Sequence, residues 1–187
     1  MLQAIFMRRR VIGLFVLAVF GFQAFLVSTL WAGDAVQKKP VATSADQRFL
    51  DYGDGTILDK KSNLMWMKLD YWLIEKKWVN WYTAMEFAQR MNNKNFAGYE
   101  DWRLPTPEEA MQLYDRRKRN VDKDGDKVFI DRIFPKGGGW GTWTSSEKGG
   151  QAIVISYKDE GGQAYQDKIN GPDAFLRLVR GPTSSIK

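Results

Sequence analysis

A chain of 187 residues with no histidine and no cysteine has no imidazole-based catalytic triad, no zinc site of the His or Cys type and no disulfide. Any catalysis would fall to carboxylates, lysine, tyrosine or serine alone. The formal charge of +6 includes Arg8, Arg9 and Arg10, and the +3 left from Gly33 onward (28 basic residues less these three, against 22 acidic) is too weak a bias to predict nucleic-acid binding.

The first element in chain order is an export segment. Three arginines precede an apolar run at residues 11–32, interrupted only by Gly13, Gly21, Gln23, Ser28 and Thr29. The run reads as a signal peptide cut near Ala32, or as a retained inner-membrane anchor, since about 20 apolar residues span a bilayer. Both readings predict a periplasmic or secreted domain, inner-membrane anchored in the second. Residues 33–47 are small, polar and charged and read as a linker. The folded domain is expected at 48–182, with a tail at 183–187.

Residues 49–52, 56–59 and 64–67 are predicted strands of a meander, the first two joined through Gly53-Asp54-Gly55. Apolar residues at Trp81, Ala84, Met85, Ala88 and Met91 predict a helix, capped by Asn80 and closed at Asn92 and Asn93. Thr106, Pro107 and Glu109 form an N-cap, first-turn proline and capping box, predicting a second helix over 107–118. Residues 120–139 read as a long loop pinned by Phe129, Ile130, Ile133 and Phe134, and the glycine-rich 137–141 reads as very flexible. Strands are predicted at 142–145, 152–157, 163–168 and 174–180. The last alternates, with Phe175, Arg177 and Val179 on one side and Leu176, Leu178 and Arg180 on the other. This order predicts an α+β fold, an antiparallel sheet with two flanking helices and a long loop region, whose chain ends come close together.

Several side chains stand out. Trp66, Trp102 and Trp143 read as core aromatics, with a sugar-stacking platform as the alternative. Trp72, Trp78 and Trp140 lie in charged or glycine-rich surroundings and are the better candidates for exposed stacking. Arg103 is expected to pair internally with Asp101 or an acid of the Asp51–Asp54 turn, because an unpaired buried guanidinium is costly. At least one of Arg177 and Arg180 is expected in a structural ion pair. Asp122, Asp124 and Asp126 have the spacing of the first three ligands of a calcium loop, but Lys127 and Ile133 occupy the glycine and glutamate positions of an EF-hand. A looser three-carboxylate Ca2+ site and a solvated acidic turn neutralised by Lys123 and Lys127 both fit. Arg116, Arg117, Lys118 and Arg119, with Lys123, Lys127, Arg132 and Lys136 nearby, form the dense basic cluster. It suits sulfated or phosphorylated polymers, or simply complements a helix C-terminus.

Five blocks together resemble one family. Asp51-Tyr-Gly-Asp-Gly-Thr-Ile-Leu-Asp-Lys-Lys-Ser-Asn-Leu-Met-Trp66 resembles its opening. Trp81-Tyr-Thr-Ala84, Gly98-Tyr-Glu-Asp-Trp-Arg-Leu-Pro-Thr106, Trp143-Thr-Ser-Ser146 and Arg177-Leu-Val-Arg-Gly181 resemble its later blocks. This pattern is similar to the Lcl C-terminal-domain family of exported bacterial domains. The resemblance implies a non-enzymatic domain with a C-type lectin-like or formylglycine-generating-enzyme-like shape. It also implies a kinship with a sugar-binding adhesin tip that recognises sulfated glycosaminoglycans. Leu178 stands where many members carry cysteine, and no collagen-like stalk is present. The expected function is therefore an exported, non-catalytic binding module for an envelope or extracellular glycan, another polyanion or an envelope protein. A membrane-anchored periplasmic structural or assembly factor is the alternative. An enzyme on the formylglycine-generating scaffold is the remote one, and its chemistry wants cysteines.

Overall fold

The computed structural model describes residues 38–170 and 175–182. The export segment, the start of the linker, Ala174 and the tail at 183–187 lie outside the described residues. Among the described residues no helix is long and apolar enough to cross a membrane.

The meander forms as the sequence predicts. β1 (Ala42–Thr43), β2 (Phe49–Asp51), β3 (Thr56–Asp59) and β4 (Leu64–Met67) are antiparallel neighbours. β10 (Val179–Arg180) adds to β4, giving the order β1-β2-β3-β4-β10. The segment expected to be linker thus contributes a strand, and Ser44 is buried where its hydroxyl accepts from Phe49 N. Carboxylates hold the tight turns. Asp51 accepts from Gly53 N, Asp54 from Thr56 N and Oγ1, and Asp59 from Lys61 N and Ser62 Oγ. The other ladders are β5–β6 (Asn120–Val121, Lys127–Val128) and β7–β8–β9 (Gly141–Lys148, Gln151–Ser156, Gly162–Asp167), all antiparallel. The architecture is α+β, with three separate antiparallel ladders among the described residues where one sheet was expected.

Among the described residues three α-helices accompany them: α1 (Tyr71–Glu75), α2 (Trp81–Asn93) and α3 (Pro107–Met111). Helix α1 was not anticipated. It is a single turn capped by Asp70, whose Oδ1 accepts from Leu73 N. Helix α2 begins under the Asn80 cap and buries Ala84, Phe87, Ala88 and Met91. Helix α3 has the predicted capping box, but it stops at Met111 instead of reaching Lys118. The cause is local competition. Leu113 turns inward to bury its side chain, Asp115 N bonds to Phe129 O, and the Asp115 carboxylate captures Arg117 N and its guanidinium.

The joint ahead of α3 locks sheet to helix. Trp102 exchanges two hydrogen bonds between its backbone and the Asn92 side chain. Arg103 pairs through its backbone with Val179 and through both guanidinium nitrogens with Glu109, at 2.7 and 2.9 Å. Its partner is therefore the fully buried capping-box carboxylate, in place of the expected Asp101 or turn acid. Asp101 instead binds Arg180 Nε, whose guanidinium stacks on Tyr99.

Trp66, Trp102 and Trp143 are buried, which supports the core reading over the sugar platform. Each contributes about 2–3 kcal/mol by leaving water. Residues 175–178 do not continue a strand. They thread between elements: Phe175 O accepts from Trp143 N, Leu176 O from Tyr71 N and Leu178 O from Met67 N. Both sides are covered, so Leu176 and Leu178 are as buried as Phe175 and Arg177, and the alternation has no exposed face. Residues 137–141 are not a flexible tether either. A Cβ on Gly139 would lie 1.9 Å from Phe175, and one on Gly141 2.2 Å from Ile155 O. These glycines permit close packing.

Arg177 is buried at the centre of this arrangement. It donates to Met67 O and Lys68 O, faces Asp70 at 3.6 Å and lies over the Phe134 ring at 4.6 Å. Arg177→Met leaves Asp70 as a buried, uncompensated charge and is expected to cost about 3–5 kcal/mol in urea denaturation. Arg177→Lys keeps the charge but loses the planar fork, and should fall between the two. Equal stability of all three proteins would show that this ion pair contributes nothing.

Candidate functional site

The long loop after α3 builds the most distinctive surface. Its frame is the β5–β6 hairpin. Asn120 is buried and its Nδ2 donates to Asp131 O and Phe134 O, which folds 129–134 back on the hairpin. Gly137 N bonds to Val121 O and Lys123 N to Gly138 O, closing the far side. Arg132 Nε reaches Arg119 O at 2.9 Å, and the Arg119 guanidinium lies over Phe129 at 4.8 Å.

This frame encloses an open groove of about 600 Å³ lined by Arg119, Asn120, Val121, Gly125, Lys127, Arg132 and Lys136. Four cations and no carboxylate face it. A second depression of about 490 Å³ shares Arg119 and Arg132 with the first and runs toward β1, with Arg117, Lys118 and Asp131 on its walls. The basic surface is therefore extended.

The predicted basic cluster does not act as one unit. Arg119 lines the first groove. Lys118 is neutralised inside the fold by Asp46 at 2.7 Å and Asp131 at 2.6 Å. Burial works to lower the Lys118 pKa, and the two carboxylates outweigh it, so its net shift is upward. Arg117 is exposed but held by Asp115, and its hydrogen bond takes the Asp115 carboxyl down to about 2. Arg116 faces a separate depression beside Arg48 and Asp115. Lys127, Arg132 and Lys136, named only as neighbours in the sequence, are the residues that join Arg119. No local pattern marks them, because the hairpin and the loop that folds back on it bring them together.

Trp140 lies outside this groove. It is half-buried, packs against both hydrophobic clusters and meets Phe175 edge-on at 5.9 Å. Its ring is therefore committed to packing. Trp72 and Trp78 meet each other at 5.2 Å, and Trp78 is exposed. Lys123 Nζ sits over both rings, 5.0 and 4.5 Å from their centroids, which fastens the hairpin to α1.

Asp122, Asp124 and Asp126 do not converge. Asp122 is buried and its Oδ1 accepts from Asp124 N and Asp126 N, an arrangement that builds the turn. Its Oδ2 faces Lys158 Nζ at 2.9 Å, and Lys158 also reaches Asp126 at 2.6 Å. Asp124 pairs with Lys123. Among the described residues no group of three His, Cys, Asp or Glu side chains could hold a metal ion. An ammonium from a distant strand-end stands where the three-carboxylate reading placed calcium. The predicted neutraliser Lys127 faces the groove instead.

These features define a compact α+β domain with a cationic loop groove. The family model of the Lcl C-terminal domain matches residues 55–180, and the chain belongs to that family. No curated protein and no solved structure matches it.

Two outcomes follow for solution behaviour. Asp46, Asp54, Asp59 and Asp115 all titrate below the ordinary carboxylate range. Lys118 partners the first and Arg117 the last. For Asp54 and Asp59, burial opposes the shift, and Lys38 and Arg48 outweigh it. The stability these carboxylates supply is present above their unfolded pKa of about 4 and is lost as pH falls through the folded values. Lys118 and Lys158 are raised, so their contribution holds below about 10.5 and fades above it. With no histidine or cysteine, the melting temperature should stay flat from about pH 5 to 9 and drop on the acid side below about pH 4. Calcium at about 1 mM should leave it unchanged, since Lys158 already neutralises Asp122 and Asp126.

Proposed function

We propose that this chain is an exported, non-catalytic binding module whose loop groove takes an anionic polymer, with an envelope or extracellular glycan as the ligand class. The observation that carries the reading is the set Arg119, Lys127, Arg132 and Lys136 around one open groove without a carboxylate. Arginine forks match sulfate, phosphate and carboxylate oxygens, and lysines add unsaturated positive charge. The overlap with the second depression through Arg119 and Arg132 favours an extended chain over a single small anion. The early strands and the last strand meeting in one sheet, with the long loop carrying the groove, are consistent with a C-type lectin-like shape. Export rests on the segment at residues 11–32.

The test is retention on a sulfated-polysaccharide matrix at low ionic strength. The wild-type protein should bind and elute as salt screens the charges. Arg119→Glu with Arg132→Glu should weaken binding by about tenfold or more. Lys148→Glu, at the exposed end of β7 and outside the groove lining, should have no effect. Wild-type protein that flows through at low salt would remove the reading.

A further inference from the structure

The three-stranded ladder β7–β8–β9 ends on a bare strand. β9 pairs with β8 without interruption, from Gln151↔Asp167 to Ser156↔Gly162. Lys168 N continues that register by donating to Gly150 O. Alternate residues of an antiparallel strand turn their backbone groups to opposite sides. With Lys168 turned toward β8, Gln163, Tyr165 and Asp167 direct their N–H and C=O groups outward. Among the described residues none of these groups meets another backbone. Gln163, Ala164, Tyr165 and Asp167 are also exposed. Successive side chains point to opposite faces, so both faces of the strand stand in solvent.

The other ladder edges are short or covered. Among the described residues β1, β5, β6 and β10 have two residues each. Arg103 exchanges two backbone hydrogen bonds with Val179 across the outer side of β10. On the outer side of β7, Trp143 N donates to Phe175 O and Ser145 N to Pro105 O. β9 also lacks the devices that keep an edge from pairing. It has no proline, no lysine and no bulge, and its one charge, Asp167, lies at its end. Such an edge is a template for another strand.

The strand's own sequence fits a second copy. A two-fold axis between antiparallel strands sets one residue opposite itself, and only outward-facing residues can take the hydrogen-bonded positions. Centring on Tyr165 uses all three of them. Tyr165 then faces Tyr165 of the second copy, Gln163 faces Asp167, and Ala164 faces Gln166. Each outward N–H and C=O finds a counterpart. No like charges are opposed, an amide lies across from each Asp167, and the two rings form a cross-strand aromatic pair.

We infer that β9 joins β9 of a second copy in this register, merging two three-stranded ladders into one sheet. A single strand edge covers less than the roughly 1,200 Å² of a stable complex, so the dimer forms and parts with concentration. β9 lies outside both basic depressions, and the pairing stands whether or not they bind a polymer.

The chain has no cysteine, so one introduced thiol can oxidise only to a disulfide between two chains. The experiment is oxidation of the full chain, in mild detergent, with copper phenanthroline. In the paired register Tyr165→Cys sets the two Cα atoms about 5.5 Å apart, within disulfide reach. Gln163→Cys, also exposed, sets them about 14 Å apart. Tyr165→Cys should therefore yield about tenfold more linked dimer than Gln163→Cys. Hydrogen exchange on the unmodified full chain gives a second measurement. The amides of Gln163, Tyr165 and Asp167 should exchange about tenfold more slowly at about 200 μM than at about 1 μM. Equal linkage at positions 163 and 165, no linkage at either, or linkage of Tyr165→Cys to a different polypeptide overturns the inference. So does fast exchange of the three amides at both concentrations.

Discussion

A cation buried between hydrophobic clusters organises this domain. Arg177 cannot be hydrated where it lies, so the surrounding chain supplies its partners: two carbonyls at the end of β4, the Asp70 carboxylate and the face of Phe134. Asp70 is committed in turn, capping α1 through Leu73 N and accepting from Gly139 N. The backbone of Arg177 also donates to Thr142 Oγ1 on β7. One ion pair therefore fixes the end of the meander, the first helix, the glycine-rich approach to β7 and the chain's last buried segment. Desolvation makes such a pair costly unless every donor is met. That requirement accounts for the close packing of Gly138 and Gly139, where a side chain would collide with Asp70 or Phe175.

The loop surface depends on this frame. Residues 112–140 contain little regular structure, yet they are ordered by side chains that satisfy backbone groups: Asn120 on two carbonyls, Asp122 on two amides, Asp131 on Ile133 N and Lys118. Polar groups used internally are unavailable to a ligand. The distinction separates Lys118, Asp122 and Lys158, whose charges are neutralised inside the fold, from Arg119, Lys127, Arg132 and Lys136, which line the open groove; Arg119 and Arg132 spend part of their guanidinium groups on backbone carbonyls but meet no carboxylate. A basic or acidic run in a sequence counts charges, and only the partners show which are free.

Local signals were legible where the physics is local. The Asn80 cap, the capping box at Thr106 and Glu109, and the turns at Gly53 to Gly55 all involve neighbours within a few residues, and all three form. Arg103 was recognisable as needing an acid, but the partner proved to be Glu109, already engaged in the capping box. The helix expected to reach Lys118 failed because Leu113 and Asp115 have competing uses, one in the core and one in a turn. The single-turn α1 gave no periodic signal because five residues are too few to show one.

The sequence by itself determined the family, the meander, the caps, the buried tryptophans and the absence of histidine and cysteine chemistry. Those features depend on residue identity and on spacings of a few positions. Tertiary structure alone decided that Lys158 would occupy the carboxylate turn and that Trp140 would be spent on packing. It also decided that Arg119 would be joined by Lys127, Arg132 and Lys136. Each of these outcomes depends on contacts between residues far apart in the chain or on a chain reversal. Charge and hydrophobicity fix what a side chain needs, and the fold fixes which neighbour supplies it.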